Sequence, residues 1–187
     1  MNNQDARDER LIETTLGEEM VFSGRIFDVT RRLAVLPDGK TAPREIVVHR
    51  GAAAVVAVDG RGRVALVRQY RAAFDRVMLE IPAGKRDTWE EDPLDCAVRE
   101  LREETGLTAE SMRLLTATQT TPGFCTEQIW IYLATGLAQG EEQPDEDEFL
   151  TCSWENLSDM ADKVRAGEIG DGKTALGLLL AEAALKG

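Results

Sequence analysis

The sequence predicts an α/β protein with antiparallel strands ahead of its main domain. Between Val21 and Val48, β-branched residues occur in short runs separated by turn signals, which is typical of strands. Further along, apolar runs give way to a helical period over residues 93–105. A length of 187 residues suits one compact domain with a small appendage. We therefore expect an N-terminal β appendage over residues 1–50 and a main domain over residues 51–187.

The N-terminal elements follow from their turn signals. Residues 1–16 are polar, and we expect them to be frayed or lightly docked. The turn signals Ser23-Gly24 and 37–40 divide the next segment into two or three antiparallel strands. The runs 52–58 and 63–67, joined by the turn 59–62, predict a hairpin of buried strands.

The period then becomes helical. Leu94, Ala97, Val98 and Leu101 are spaced at i, i+3, i+4 and i+7, and Gly106 stands where a helix would end. Strands are expected at 112–119, 128–133 and 149–154, an acidic loop at 141–148, and helices at 156–166 and 173–185.

Charge and composition exclude several classes of function. The chain has 22 Lys and Arg against 34 Asp and Glu, a net charge of −12, and such a field repels a nucleic-acid backbone. No apolar run reaches the ~18 residues of a membrane span, and the first residues lack the apolar core of a signal peptide. We therefore expect a cytoplasmic protein with no nucleic-acid or membrane partner. Cys96, Cys125 and Cys152 have no CxxC spacing and are expected to be small core residues.

Three carboxylates share one face of the predicted helix. Glu100, Glu103 and Glu104 lie within a sector about 100° wide, centred roughly 120° from the apolar stripe, so we expect that face to be exposed. Their mutual repulsion and the helix dipole both oppose this arrangement. A divalent cation bound through oxygen would compensate for it. The alternative is a solvated face on which Arg99 pairs with Glu103.

The surrounding residues resemble the Nudix box, the signature loop–helix–loop of the Nudix hydrolases. Gly84, Glu91 and the block Arg99–Leu107 follow its pattern, including REUxEExGU with U aliphatic. Six residues separate Gly84 from Glu91 where five are usual. Choosing Glu90 instead would disturb the helix register, whereas a loop absorbs an extra residue more easily. The resemblance implies an α/β/α sandwich with a mixed sheet.

The resemblance also implies a metal site and its ligands. Nudix enzymes use Mg²⁺ or Mn²⁺ while water displaces a nucleoside diphosphate from another moiety. It implies that the carbonyl of Ala83 and the side chains of Glu100, Glu103 and Glu104 bind metal, and that Arg99 orients this cluster. Gly84, Glu91 and Gly106 would have structural roles in the box.

Beyond the box, the chain resembles the ADP-ribose pyrophosphatase subfamily over roughly residues 20–185. The matching blocks are Gly51–Val58, Val67–Arg71, Leu79–Gly84 and Thr121–Phe124. Pro122 stands sixteen residues after Gly106, where that subfamily has proline, although it also suits the end of a strand. The implied reaction is hydrolysis of ADP-ribose to AMP and ribose 5-phosphate.

The same resemblance implies substrate contacts and a homodimer. Arg68 and Arg71 would grip the diphosphate, the alternative being surface salt bridges. The segment Arg25, Ile26 and Phe27 resembles the one that packs on adenine, often across a dimer that exchanges its N-terminal sheets. Ordinary packing in a β core is the alternative for Phe27. Pro122 and Phe124 complete the expected substrate-binding residues.

The acidic run 141–148 has two interpretations. Runs of like charge are normally solvated. In the subfamily, however, the loop at this place closes on the metals, which would make Glu148 a further metal ligand and Glu146 the base that deprotonates water. Glu148 is the rival for that second role.

Two other functions stay open at this point. The chain would act on another nucleoside diphosphate sugar or a dinucleotide, or it would be a Nudix fold that senses ADP-ribose without cleaving it. The intact box carboxylates argue against a sensor, because a sensor has no need of the full metal set.

Overall fold

The computed structural model describes residues 8–140 and 149–186. The chain divides into two units. One comprises the residues up to Arg50 together with Thr121–Glu127, and the other comprises Gly51–Thr120 and the residues from Gln128 onward.

The first unit is built on a three-stranded antiparallel sheet in the order β1-β2-β3. Its strands are β1 (Thr14–Ser23), β2 (Phe27–Val35) and β3 (Thr41–His49). The expected antiparallel strands are therefore confirmed. The segment expected to be frayed or lightly docked through residue 16 instead enters β1 at Thr14. The segment Thr121–Glu127 joins β3, because Val47 N–H donates to Phe124 O at 2.7 Å.

The second unit contains two sheets. Its strands are β4 (Ala52–Ala57), β5 (Arg63–Arg71), β6 (Arg76–Glu80), β7 (Ala83–Lys85), β8 (Leu107–Gln119), β9 (Gln128–Gln139) and β10 (Leu150–Asn156). One sheet has the order β7-β4-β9-β8 and is mixed, since β4 runs parallel to β9. The other has the order β10-β5-β6 and is antiparallel.

The predicted hairpin of β4 and β5 was wrong. A turn does join the two strands, and the Asp59 carboxylate accepts from the N–H groups of Arg61 and Arg63 at 2.9 Å. Beyond one bridge between Val58 and Val64, however, each strand pairs in a different sheet. Every residue of β4 is buried, and its partner β9 lies far along the chain, where local turn signals carry no information.

The described residues of the second unit include three α-helices. They are α1 (Pro93–Thr105), α2 (Leu157–Arg165) and α3 (Gly172–Lys186). Cys96, Ala97 and Leu101 of α1 pack in one core cluster with alternate residues of β4, whereas Leu178 and Ala181 of α3 pack in another with the intervening residues. Because successive strand residues point to opposite faces, α1 and α3 lie on opposite sides of the sheet.

Helix α1 has the bounds that the sequence predicted. Asp92 caps its start by accepting from Leu94 N–H at 2.8 Å, and Gly106 ends it at φ 68°, a left-handed conformation that suits glycine. Cys96 is buried as expected, whereas Cys125 and Cys152 are only half-buried. Within the described residues, no helix is long and apolar enough to cross a membrane.

Candidate active site

The carboxylates of α1 are not on an exposed face. Glu100 and Glu104 are only 6% and 3% exposed, so the expectation that all three lie on a solvated face was wrong. Glu103 is half-buried. The predicted apolar stripe was wrong at two positions, because Leu94 and Val98 are 37% and 49% exposed and Cys96 occupies the buried face instead. The face of α1 that carries Glu100 and Glu104 contacts β7, and the spacing of apolar residues within the helix does not indicate this.

The backbone of β7 receives the two buried carboxylates. Ala83 N–H donates to Glu104 Oε2 at 3.1 Å. At Gly84, an added Cβ would lie 2.0 Å from Glu100 Oε1, well inside van der Waals contact. Glycine is therefore required at this position because the Glu100 carboxylate packs directly on the main chain.

Arg99 organises the carboxylates. Its guanidinium donates to Glu91 Oε1 at 3.2 Å, Glu100 Oε1 at 2.7 Å and Glu103 Oε2 at 3.0 Å. It also donates to the carbonyl of Lys85 at 3.2 Å, which ties the helix to the end of β7. Burial opposes the charged form, but the surrounding carboxylates outweigh it and raise the pKa of Arg99.

Glu91 closes the loop that precedes α1. Its carboxylate accepts from Asp87 N–H at 2.6 Å and from Arg99, while its own N–H donates to Thr88 Oγ1 at 3.1 Å. Burial acts against ionisation, yet these donors keep the pKa of Glu91 below its ordinary value. Glu90 is exposed. The extra loop residue thus leaves Glu91 in contact with Arg99.

Arg71 lies in a second charged cluster that the sequence did not reveal. It donates two hydrogen bonds to Glu80, at 2.7 and 2.8 Å, and Lys173 also binds this carboxylate. Burial favours the neutral acid, but the two cations outweigh it and hold the pKa of Glu80 at about 2. The attraction of Glu104 further raises the pKa of Arg71, behind the larger effect of Glu80. One feature of the sequence could have indicated this cluster: Glu80 is an acid placed between the apolar residues Leu79 and Ile81.

The start of α3 fixes the same strand end. Ile81 N–H donates to Thr174 Oγ1 at 2.9 Å, and Thr174 donates to Asp171 through both its N–H and its hydroxyl. Asp171 also pairs with Lys173 at 3.0 Å. The main chain leading into Ala83 is therefore held by α3 as well as by its own sheet.

Arg68 does not join Arg71. It is exposed, and it stands opposite Leu79 in the β5–β6 ladder, whereas Glu80, the partner of Arg71, stands opposite Val67. Neighbouring positions of a strand point to opposite faces. The two arginines therefore do not form one clamp in this structure.

The first unit holds the expected adenine-binding segment 25–27 and two other expected substrate-binding residues, Pro122 and Phe124. Ile26 is 55% exposed, and Phe27, which opens β2, is 40% exposed and packs on Phe22 at 6.0 Å between ring centroids. Phe27 is thus not an ordinary core residue of this sheet. The carbonyl of Arg25 accepts from Arg50 at 3.4 Å. Pro122 and Phe124 are exposed in the segment that joins β3.

The donor set on α1 has the chemistry of a divalent cation site. Its side-chain donors are carboxylate oxygens, and the strand they contact offers carbonyl oxygens, both of which Mg²⁺ and Mn²⁺ prefer. Among residues 8–140 and 149–186, no three His, Cys, Asp or Glu side chains form a group that could hold a metal ion. Glu146 and Glu148 lie outside the described residues. Glu100, Glu103 and Glu104 therefore suit a divalent cation by the chemistry of their oxygen donors.

The family follows from comparison with known proteins. The model of the NUDIX domain matches residues 48–174, which include α1, β7 and the Arg71 cluster. The chain belongs to the NUDIX domain family. Its match to this family confirms the resemblance of the box and makes the chain a Nudix hydrolase, a class that generally needs a divalent metal ion.

Similar proteins cover most of the chain. An ADP-ribose pyrophosphatase of Bacillus subtilis (strain 168) is 43% identical, covering 88% of this chain and 90% of its own. An ADP-ribose pyrophosphatase of Mycobacterium tuberculosis (strain ATCC 25618 / H37Rv) is 38% identical, and the match covers 92% of this chain and 84% of the relative. A crystal structure of an ADP compounds hydrolase is 25% identical with a TM-score of 0.80, covering 94% and 96%. The predicted Nudix fold with a mixed sheet is thereby confirmed.

Proposed function

We propose that this Nudix hydrolase cleaves the pyrophosphate bond of ADP-ribose, giving AMP and ribose 5-phosphate with Mg²⁺ or Mn²⁺. The observation that carries the proposal is the convergence of Glu100 and Glu104 of α1 on the backbone of β7, with Arg99 joining Glu100 to Glu91. The two ADP-ribose pyrophosphatases among the relatives support this substrate.

The α1 carboxylates and the carbonyl of Ala83 would hold the metal. When bound, a divalent ion offsets the negative charge of a diphosphate and makes a coordinated water more acidic. Arg99 keeps Glu100 and Glu103 in place through its 2.7 and 3.0 Å hydrogen bonds. Glu148 would add a ligand, and Glu146 would take the proton from water.

Arg71 would bind the diphosphate. A chain of net charge −12 needs local cations to receive an anionic substrate. Arg71 is already oriented by its two bonds to Glu80, so little of its conformational freedom is left to lose on binding. Arg68, which the sequence paired with it, lies on the other side of β5 and is left out of this clamp.

Adenine would contact Arg25, Ile26 and Phe27, and Pro122 and Phe124 would be further substrate contacts. Ile26, Phe27 and Phe124 are exposed apolar side chains of the first unit, and flat aromatic and aliphatic groups suit the face of a purine. Saturation-transfer NMR of bound AMP tests this, because we expect transfer to the adenine protons in the wild type and a loss of it in Phe27→Ala.

A homodimer would cover the first unit. Every residue of β1 is exposed, including Leu16 and Met20 at 58% and Phe22 at 52%. Exposed apolar surface of this extent is typical of an interface. Sedimentation equilibrium should give twice the chain mass for the wild type and a monomer for Met20→Glu. The matched control is Leu114→Glu, which places the same charge on exposed β8 and should stay dimeric; a monomeric wild type would refute the proposal.

A reducing compartment suits this chain, and we place it in the cytoplasm. Its three cysteines are free thiols, one buried and two half-buried.

A substrate panel tests the proposed reaction. Initial rates with ADP-ribose, a GDP-sugar and a dinucleotide, each with Mg²⁺ or Mn²⁺, should show the highest kcat/KM for ADP-ribose and release AMP. A higher kcat/KM for another compound would identify the alternative Nudix pyrophosphatase. Tight binding of ADP-ribose with no turnover at any metal concentration would identify a sensor.

A further inference from the structure

A groove in the second unit lies apart from the α1 carboxylates. Its volume is about 330 Å³, at the lower end of the range for small-molecule sites, which suits a ligand the size of a sugar. Three cationic side chains line it, each from a different element: Arg68 from β5, Arg76 from β6 and Lys163 from α2. The other lining residues are Val77, Met78, Leu79, Glu168, Ile169, Gly170 and Asp171.

These three cations have no anionic partner among residues 8–140 and 149–186. Neither arginine nor the lysine makes a side-chain hydrogen bond or ion pair there, and Arg76 only stacks on Phe74 at 5.9 Å. Other cations of the unit do find carboxylates, as Arg165 does with Asp162 at 2.7 Å. A chain with 34 acids and 22 bases thus gathers in one groove three cations that no described residue matches.

The carboxylates of the groove do not neutralise them. Asp171 is engaged by Lys173 at 3.0 Å and by the N–H and hydroxyl of Thr174. That leaves Glu168, on the loop between α2 and α3, as one uncommitted acid against three bases. The start of α3, marked by the bond from Ala175 N–H to Asp171 O at 2.9 Å, adds the positive end of a helix dipole.

Like charges brought together repel, so an anion that enters the groove relieves this repulsion. Guanidinium groups match the geometry of phosphate oxygens, and lysine adds a mobile charge. The apolar side chains of Leu79 and Ile169 beside these cations suit the carbon skeleton of a small ester. Inorganic sulfate or a nucleic acid would not use that apolar wall.

We propose that the groove binds the phosphate group of a small phosphate ester, through Arg68, Arg76 and Lys163. The site is distinct from the proposed metal site, because its lining contains no residue of α1 or β7. It does not depend on the proposed reaction, since binding is measured without turnover.

Titration with ribose 5-phosphate and with inorganic phosphate, in the absence of divalent metal, tests this site. Isothermal calorimetry gives the affinity, and ¹H–¹⁵N NMR locates the ligand. We expect saturable shifts at the amides of Ile169 and Gly170. Tighter binding of ribose 5-phosphate would identify a phosphorylated sugar as the ligand, whereas equal affinities would identify free phosphate.

Variants separate this groove from other cationic surfaces. The double variant Arg76→Gln with Lys163→Gln should bind at least ~10-fold more weakly, or ~1.4 kcal/mol, and should keep its rate of ADP-ribose hydrolysis. Arg113→Gln removes an exposed arginine from β8 and should bind as the wild type does. Shifts confined to residues of α1 and β7, equal affinity in the double variant, or no saturable binding would each overturn the proposal.

Discussion

The second unit holds its buried carboxylates in two contrasting ways. Glu80, a single carboxylate, receives two cations, Arg71 and Lys173. Around Arg99 the ratio is reversed, since its one guanidinium pairs with four carboxylates at 2.7 to 3.7 Å, two of them on α1 and two in the loop before it. Each cluster is fixed to the end of a strand. Glu80 is the last residue of β6, and Ala83, which donates to Glu104, is the first residue of β7.

We infer from this difference that the cluster at Glu80 is structural and that the one around Arg99 is the proposed metal site. A buried carboxylate with two cations is satisfied by the protein itself, so removing its charge takes from Arg71 the carboxylate that it binds and leaves Lys173 with Asp171. A set of carboxylates that shares one cation gains from any further cation that arrives. We therefore expect mutations in the Arg71 cluster (Arg71, Glu80 and Lys173) to change stability. Mutations in the α1 cluster (Arg99 with Glu100, Glu103 and Glu104) should change turnover.

The largest effect is expected from the acidic run, through Glu146. If Glu146 is the base, Glu146→Gln should lower kcat by ~10²-fold with little change in KM or in metal requirement, because proton removal is felt in the transition state. Glu148→Gln should instead raise the Mg²⁺ concentration needed for half-maximal rate. Paired Mg²⁺ titrations at saturating ADP-ribose measure both.

The reverse pattern in these titrations would exchange the two roles. If neither variant loses more than about threefold, or ~0.65 kcal/mol, the run is a solvated loop and the α1 cluster acts without it.

How far the sequence predicts this site depends on how local each signal is. The bounds of α1 follow from residues within the helix and from its caps at Asp92 and Gly106, so they were predictable. The burial of Glu100 was not predictable, because it depends on contact with Gly84 of β7, sixteen residues earlier. A Cβ added at Gly84 would lie 2.0 Å from Glu100 Oε1. The pairing of β4 with β9 and of Glu80 with Lys173 is likewise non-local.

A smaller effect is expected when the α1 cluster is disturbed without a change of charge. In Gly84→Ala the new Cβ would lie 2.0 Å from Glu100 Oε1, so the carboxylate must move. We expect kcat to fall by ~10-fold, since displacing a proposed metal ligand would misplace the reacting groups. Gly60→Ala, where a Cβ meets nothing within 4 Å, is the control and should keep its rate. Equal rates for the two variants would show that turnover does not require the contact between the Glu100 carboxylate and the main chain of β7.

The last expected effect concerns stability rather than turnover, and it is a pH dependence. The pKa of Glu80 is about 2 against an ordinary 4.5, so its ionised form stabilises the fold above pH 4.5, and this stabilisation is lost as the pH falls toward 2. The difference in unfolding free energy between wild type and Glu80→Gln should therefore shrink over that range. Urea unfolding at stepped pH measures it, with Glu110→Gln on exposed β8 as the control. A constant difference would mean that Glu80 does not titrate in this way.

The most direct test is the same substitution made in both clusters, with kcat for ADP-ribose and the unfolding free energy measured on each variant. Glu104→Gln should lower kcat by at least ~10²-fold and leave the unfolding free energy within ~1 kcal/mol of the wild type, since it removes charge at the reacting centre and keeps volume. Glu80→Gln should lower the unfolding free energy by about 3 kcal/mol, with the smaller loss of kcat. Near-native turnover of Glu104→Gln across Mg²⁺ concentrations, or a larger loss of turnover in Glu80→Gln, would contradict the account.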